Sequence, residues 1–298
     1  MNRSVKTAAI EKNRRIRNGG KIAPSIFLVI MAVYFLVPIW WLIVASTKTN
    51  GALYSGSNTL WFSGDFSLID NIKELGTYSG GIFWRWFGNS LLYAIVGGSL
   101  STIIAVLAGY GFAKYQFKGR NAYFKLVLAA MMIPNTALVI PTFVLFSTVG
   151  LTNSIWAVIL PSTLNIFGVY LMRVYCQGSI PDELIEAARV DGAGELRILL
   201  QIALPVMRPA LATVFMLSIV GNWNNYFLPS MMLTNNNLYP ITVGLTQWQT
   251  FSQNATGGQV LWNLIVTGSL ISIIPLILAF FLLQRYWVGG LTAGAVKS

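Results

Sequence analysis

The chemistry open to this chain is narrow. It has nine acidic residues, no histidine and one cysteine, Cys176. A Ser/His/Asp triad would lack its usual base, a disulfide within the chain is impossible, and the common zinc sites lack ligands. No Gly-x-x-x-x-Gly-Lys-Ser/Thr phosphate loop occurs, so the chain has no ATPase site of the usual kind. Yet five of the nine acids fall between Asp182 and Glu195, beside the run EAARVDGAGELRILLQIALP (Glu186–Pro205). Two generic readings stand for that cluster. It is a solvated interfacial loop, or a surface on which the small residues Ala187 and Ala188 let another surface approach closely.

The elements that position the cluster are membrane spans. The chain of 298 residues is 55% apolar and 10% charged, against about 25% charged in an average soluble domain. A helix needs about 20 apolar residues to cross the hydrocarbon. Six segments qualify: Ile22–Ser46, Asn89–Phe112, Leu126–Val149, Ser154–Met172, Pro209–Leu233 and Leu261–Gln284. The first is too long for the apolar core of a signal peptide and reads as a retained anchor. The expected fold is therefore an all-α membrane protein of six transmembrane helices.

Charge orients the spans. Seventeen of the 20 Lys and Arg lie in the segment before Ile22, the second and fourth loops and the C-terminal tail; Lys48, Lys73 and Arg85 alone lie opposite. Lys and Arg gather on the cytoplasmic side, so both termini and the acidic loop are expected there. The net charge of +11 then belongs to topology and lipid contact, not to nucleic acid. No Asp, Glu, Lys or Arg sits near mid-membrane, where proton- or voltage-driven transporters place ionisable groups. The organisation expected is a basic tail over residues 1–21 and a six-helix domain over 22–298, with its acidic loop at 177–205.

Within that loop, Ser179 is expected to cap a helix with Pro181 in its first turn. Asp182, Glu183 and Glu186 suit its positive N-terminal end. Leu184, Ala187 and Ala188 share a face by spacing. Gly192 ends this helix, and a second runs from near Gly194 to Pro205.

Inside the fifth span lies GNWNNYF (Gly221–Phe227). Asn222, Asn225 and Tyr226 would share one helical face, with Trp223 near Tyr226 and Phe227. Polar groups at that depth need a cavity or another helix. Two readings stand: a path in which amides bond hydroxyls and the indole covers a sugar ring, or glue between packed spans. In the third span Pro134, Asn135 and Pro141 mark either packing or a gating kink. Asn165 and Tyr170 are weaker path candidates. The uncharged outward loop Thr234–Gln259 is an ordinary polar loop or a binding surface. Neutral mid-membrane residues favour an uncharged substrate.

One spacing is specific. Glu186-Ala187-Ala188, three residues, Gly192, nine residues, Ile202, one residue, then Leu204-Pro205 resembles the EAA motif of ABC importer permeases. Asn89-Ser90, LAGYGFAKYQFKGR (Leu107–Arg120), MIPNTALVIP (Met132–Pro141), GLTNSIWAVILP (Gly150–Pro161) and QRYWVGGLTAGAVKS (Gln284–Ser298) are similar to the carbohydrate-uptake branch. There they resemble the shorter permease of maltose-type systems.

The resemblance implies a type I importer permease fold in a bacterial or archaeal inner membrane. It implies a second permease subunit, two cytoplasmic ATPase subunits and an extracytoplasmic sugar-binding protein. ATP and magnesium would sit on the ATPase, with no cofactor on this chain. Glu186, Ala187, Ala188, Gly192, Ile202, Leu204 and Pro205 would form the coupling helix that docks in an ATPase groove. Asn222, Trp223, Asn225, Tyr226 and Asn135 would line the sugar path, and the outward loop would meet the binding protein. The rival readings are a carrier or channel needing no ATPase, and a membrane-embedded enzyme.

Overall fold

The structure, a computed structural model, describes residues 3–54, 58–64, 66–254 and 260–293; for 3–23, 54 and 287–293 it describes the backbone alone. The C-terminal end of the QRYWVGGLTAGAVKS motif, 294–298, and the first two residues of the basic tail lie outside the described residues. In chain order the helices are α1 (Arg3–Ser46), α2 (Asn50–Tyr54), α3 (Leu68–Thr77), α4 (Ile82–Leu92) and α5 (Gly98–Lys114). Then come α6 (Arg120–Ala130), α7 (Val139–Thr148), α8 (Trp156–Ser162), α9 (Ile166–Ser179) and α10 (Asp182–Val190). The last are α11 (Glu195–Ile198), α12 (Leu204–Trp223), α13 (Phe227–Met232), α14 (Ile241–Asn254) and α15 (Trp262–Ala293). No strand occurs among the described residues.

Five helical segments are long and apolar enough to cross a membrane: Pro24–Ser46, Ile82–Lys114, Trp156–Ser179, Glu195–Trp223 and Trp262–Tyr286. The third expected span is instead a broken pair, Arg120–Ala130 and Asn135–Thr148, bent by 94°. Pro134 explains the break. It is extended (ψ 127), its ring disfavours helical geometry at Ile133, and the chain restarts as a tight turn at Asn135–Leu138. The second span starts at Ile82, well before the expected Asn89. Gly81, at φ 75, makes the left-handed corner that opens it. The fifth runs from Glu195 to Trp223, not from Pro209 to Leu233, and stops where Asn224 turns its amide onto the Val220 carbonyl (2.9 Å). The segment Thr234–Gln259, expected as an outward loop, is largely the helix α14.

Contacts divide the chain into two units, Met1–Ile72 with Trp262–Leu270, and Lys73–Leu261 with Ile271–Ser298. In the first, the end of α1 is tied by amides. Asn71 donates to the carbonyls of Ser46 (2.9 Å) and Lys48 (3.0 Å), and Asn263 donates to Asn71 (3.0 Å). The carbonyls left open where α1 stops are thereby met.

The second unit has two apolar clusters. One gathers Ala105, Tyr110, Met172, Cys176, Ile185, Ile198, Met207 and Val214, from α5, α9, α10, α11 and α12. The other joins Tyr93, Val139, Ala157, Val158, Ile159, Leu228 and Met232. In the first, Gly109 lets α5 and α9 touch: a Cβ there would lie 2.5 Å from Met172 Cβ and 2.9 Å from the Arg173 nitrogen. Small residues at such crossings are how membrane helices gain close packing.

Candidate functional site

The acidic loop begins as α9 ends. Ser179 is the last residue of α9, because Ile180 N–H still reaches the Cys176 carbonyl (3.1 Å). Ser179 therefore does not cap the next helix. Pro181 takes that position with no side-chain cap bond. Asp182 and Glu183 fill the first turn of α10, where helix N–H groups favour acids.

Two consecutive residues at the end of the second span hold this loop. The Lys114 ammonium, its side chain 5% exposed, donates to the Ile180 carbonyl and the Asp182 carboxylate. The Tyr115 hydroxyl donates to Glu195 (2.7 Å), and Glu195 in turn accepts two bonds from Arg189 (2.8 and 3.3 Å). Lys114 thus fixes the entry to α10, while the Tyr115–Glu195–Arg189 chain joins its exit to α11. Burial, then the bond to Glu195, pushes the Tyr115 phenol up to about 12, so it remains a donor at working pH.

Gly192 closes α10 as expected. At φ 79 it donates to the Arg189 carbonyl (3.0 Å), and Ala193 donates to the Ala188 carbonyl (2.9 Å). This paired pattern is a Schellman stop, which calls for a left-handed residue at the position of Gly192. The two faces of α10 differ from the expected grouping. Ile185 and Ala188 pack inward, whereas Leu184, Glu186 and Ala187 are exposed. Ile185 takes the core side, which turns Leu184 and Ala187 out. Val190 is 87% exposed and Leu196 68%, so an uncovered apolar rim surrounds Glu186 and Ala187.

The second loop helix does not stop at Pro205. α11 passes through a π turn at Leu199–Ala203 into α12. A proline inside an α-helix removes one bond and clashes with the carbonyl four residues back. The widened turn just before it relieves both. Ile202 therefore lies in the π turn, and Leu204 and Pro205 open α12.

The path candidates are not on one helical face. α12 ends at Trp223, and Asn225 and Tyr226 fall in the break before α13. Trp223 is 3% exposed with its ring edge-to-face on Phe87 (5.8 Å). The Asn225 carbonyl accepts from Thr242 (2.9 Å). The Asn222 side-chain nitrogen is enclosed with no partner among the described residues, and Tyr226 is 43% exposed. Asn135 is exposed at the break of the third span, and no hydrogen bond joins it to the others among the described residues. Asn165 spends its oxygen capping α9 at Gly168 (2.7 Å) and its nitrogen on Ser218 (2.9 Å). Ser218 also pairs with Ser101 (3.2 Å). That buried seam between spans was not foreseen, because lone serines in apolar runs carry little signal. Lys114 and Tyr115 were missed as well: end-of-span cations serve topology first, and the pairing bridges 68 positions.

This architecture defines a multi-pass helical membrane protein with one short helix, α10, clamped between the ends of its spans. The chain belongs to the family of binding-protein-dependent transport system inner membrane components, whose model matches residues 101–291. It is 36% identical to the arabinooligosaccharides transport system permease protein AraQ of Halalkalibacterium halodurans, over 91% of this chain and 93% of that protein. It is 31% identical to the maltodextrin transport system permease protein MdxG of Bacillus subtilis, over 93% of this chain and 96% of that one. Its fold matches a chain in the crystal structure of a bacterial ABC transporter involved in import of the acidic polysaccharide alginate. The TM-score is 0.77 at 26% identity, covering 92% of this chain and 98% of that one.

Proposed function

We propose that the chain is a permease subunit of an ATP-driven, binding-protein-dependent importer for a sugar or oligosaccharide. It forms the path with a second permease, and two ATPase subunits drive the pair, one of them docking on α10. Both termini and α10 lie in the cytoplasm, and an extracytoplasmic binding protein delivers the substrate. The arabinooligosaccharide and maltodextrin permeases among its relatives support a saccharide substrate. The observation that carries the coupling reading is the exposed rim of Leu184, Glu186, Ala187 and Val190 on a helix clamped from behind by Lys114. A surface held rigidly yet left uncovered suits docking, and a charge at its centre gains worth once water is excluded. ATP and magnesium belong to the ATPase, and this chain hydrolyses nothing.

On the path, Asn222 and Tyr226 carry the substrate reading, since one has an unpaired nitrogen and the other is exposed. Asn135 joins them from the break of the third span. Trp223 belongs to packing, while the Asn225 side chain stays a path candidate, because Thr242 engages only its backbone carbonyl.

The test is copurification of the ATPase and its stimulation by sugar-loaded binding protein. Glu186→Lys reverses the central charge, and Gly192→Pro removes a bond of the Schellman stop. Both variants should insert normally and lose association or stimulation. Normal values in both would sink the coupling assignment. Sidedness is checked by placing cysteines at Ser4 and Ser298, with Cys176 removed. Labelling of either by an impermeant thiol reagent in intact cells would overturn the topology.

A further inference from the structure

Between Glu74 and Asp182 the chain has no acidic residue. In that stretch Lys118, Arg120, Lys125 and Arg173 have no carboxylate within ion-pair distance among the described residues. Arg173, midway along α9, lays its guanidinium 3.6 Å over the Phe124 ring of α6. Its Nε is enclosed by protein and has no acceptor among the described residues. Arg120 sits one turn before Phe124 on α6, on the same side of the helix, and its charge bears on Arg173. Among the described residues its guanidinium makes one hydrogen bond, to the Tyr115 carbonyl (3.3 Å). Two neighbouring cations, one with a desolvated donor, repel each other unless an anion answers both.

The surroundings indicate what bears that anion. Phe117, Tyr123 and Leu126 are exposed just before and along the first turns of α6, which opens at Arg120. Apolar and aromatic side chains interleaved with cations mark a membrane–water boundary. An anion that meets both has a charged head and an apolar body. Guanidinium forks match phosphate oxygens, and nearby lysines add attraction toward an anionic leaflet. We propose that Arg120 and Arg173, flanked by Lys118 and Lys125, hold the phosphate of an anionic phospholipid headgroup.

The test uses the chain purified in mild detergent with the subunits that accompany it, stripped of lipid. It is titrated with phosphatidylglycerol or phosphatidylcholine, and bound lipid is counted by native mass spectrometry. Phosphatidylglycerol should bind in preference. Arg120→Gln and Arg173→Gln should each weaken it about fivefold, the double variant compounding the loss. Arg173→Lys should retain part of the preference, which separates charge from folding. Equal binding of the two lipids by the unaltered chain overturns the proposal without any variant. So does retained preference in a folded double variant. Saturation by inorganic phosphate, which then blocks the lipid, would show a free-anion site and also overturn it. Release of an accompanying subunit by the double variant, with bound lipid unchanged, would assign the arginines to a partner's acid instead.

Discussion

Replacing Lys114 by Met keeps the apolar stem and deletes the ammonium. Two acceptors then lose their donor. The Ile180 carbonyl belongs to a residue buried in the core, while the Asp182 side chain is 77% exposed. A hydrogen bond from a charged donor is worth about 1.5–3 kcal/mol net, and an exposed ion pair only about 0–1 kcal/mol. Removing the ammonium also recovers its own cost of burial. The orphaned carbonyl keeps the sign unfavourable, for a net loss of about 2–3 kcal/mol in the docking of α10. The open population of α10 should then rise by about 30- to 150-fold. Hydrogen–deuterium exchange over residues 183–193 reads this directly, with α5 and α9 as internal controls. Exchange within about threefold of the unaltered chain, the rest of the protein being native, would refute the clamp.

Gly192→Ala should destabilise the turn by about 1–2 kcal/mol, through backbone strain alone, since nothing lies within 4 Å of the new Cβ; faster exchange at 188–195 checks it. Gly109→Ala should cost about 1–3 kcal/mol by overpacking against Met172, whereas Gly111→Ala, which meets nothing within 4 Å, should leave thermal stability unchanged. Trp223→Ala should lower stability by about 3–5 kcal/mol as a buried aromatic. Tyr226→Ala should leave stability nearly intact and reduce sugar uptake in vesicles, and unaltered uptake would remove Tyr226 from the path.

The spans were legible because length and apolarity are local properties. Pro134 announced a break, although not that the two halves would turn by 94°. Gly192 was legible because a left-handed stop favours glycine wherever the chain goes next. Three things were not. The rotation of α10 depends on whether Ile185 or Leu184 finds the core, which is a tertiary matter. Pro205 looked like a terminator because the relieving π turn leaves no mark in composition. The fifth span was extended too far since GNWNNYF is flanked by apolar residues, and the cap made by Asn224 outweighs them. The clamp needed knowledge of which span ends neighbour the loop, and spacing along the chain does not hold that information.

The turn at Leu199–Ala203 is wider than the α-helix on either side. Deleting one residue there would restore regular winding and rotate everything before it by about 100° against α12. Glu195 would swing away from Tyr115, and Val190 and Glu186 would aim elsewhere. Composition would be almost untouched and every exposed residue of α10 still present. The direction in which this loop faces is thus set by a count of residues, so a single deletion should do more harm than any one side-chain replacement in that turn.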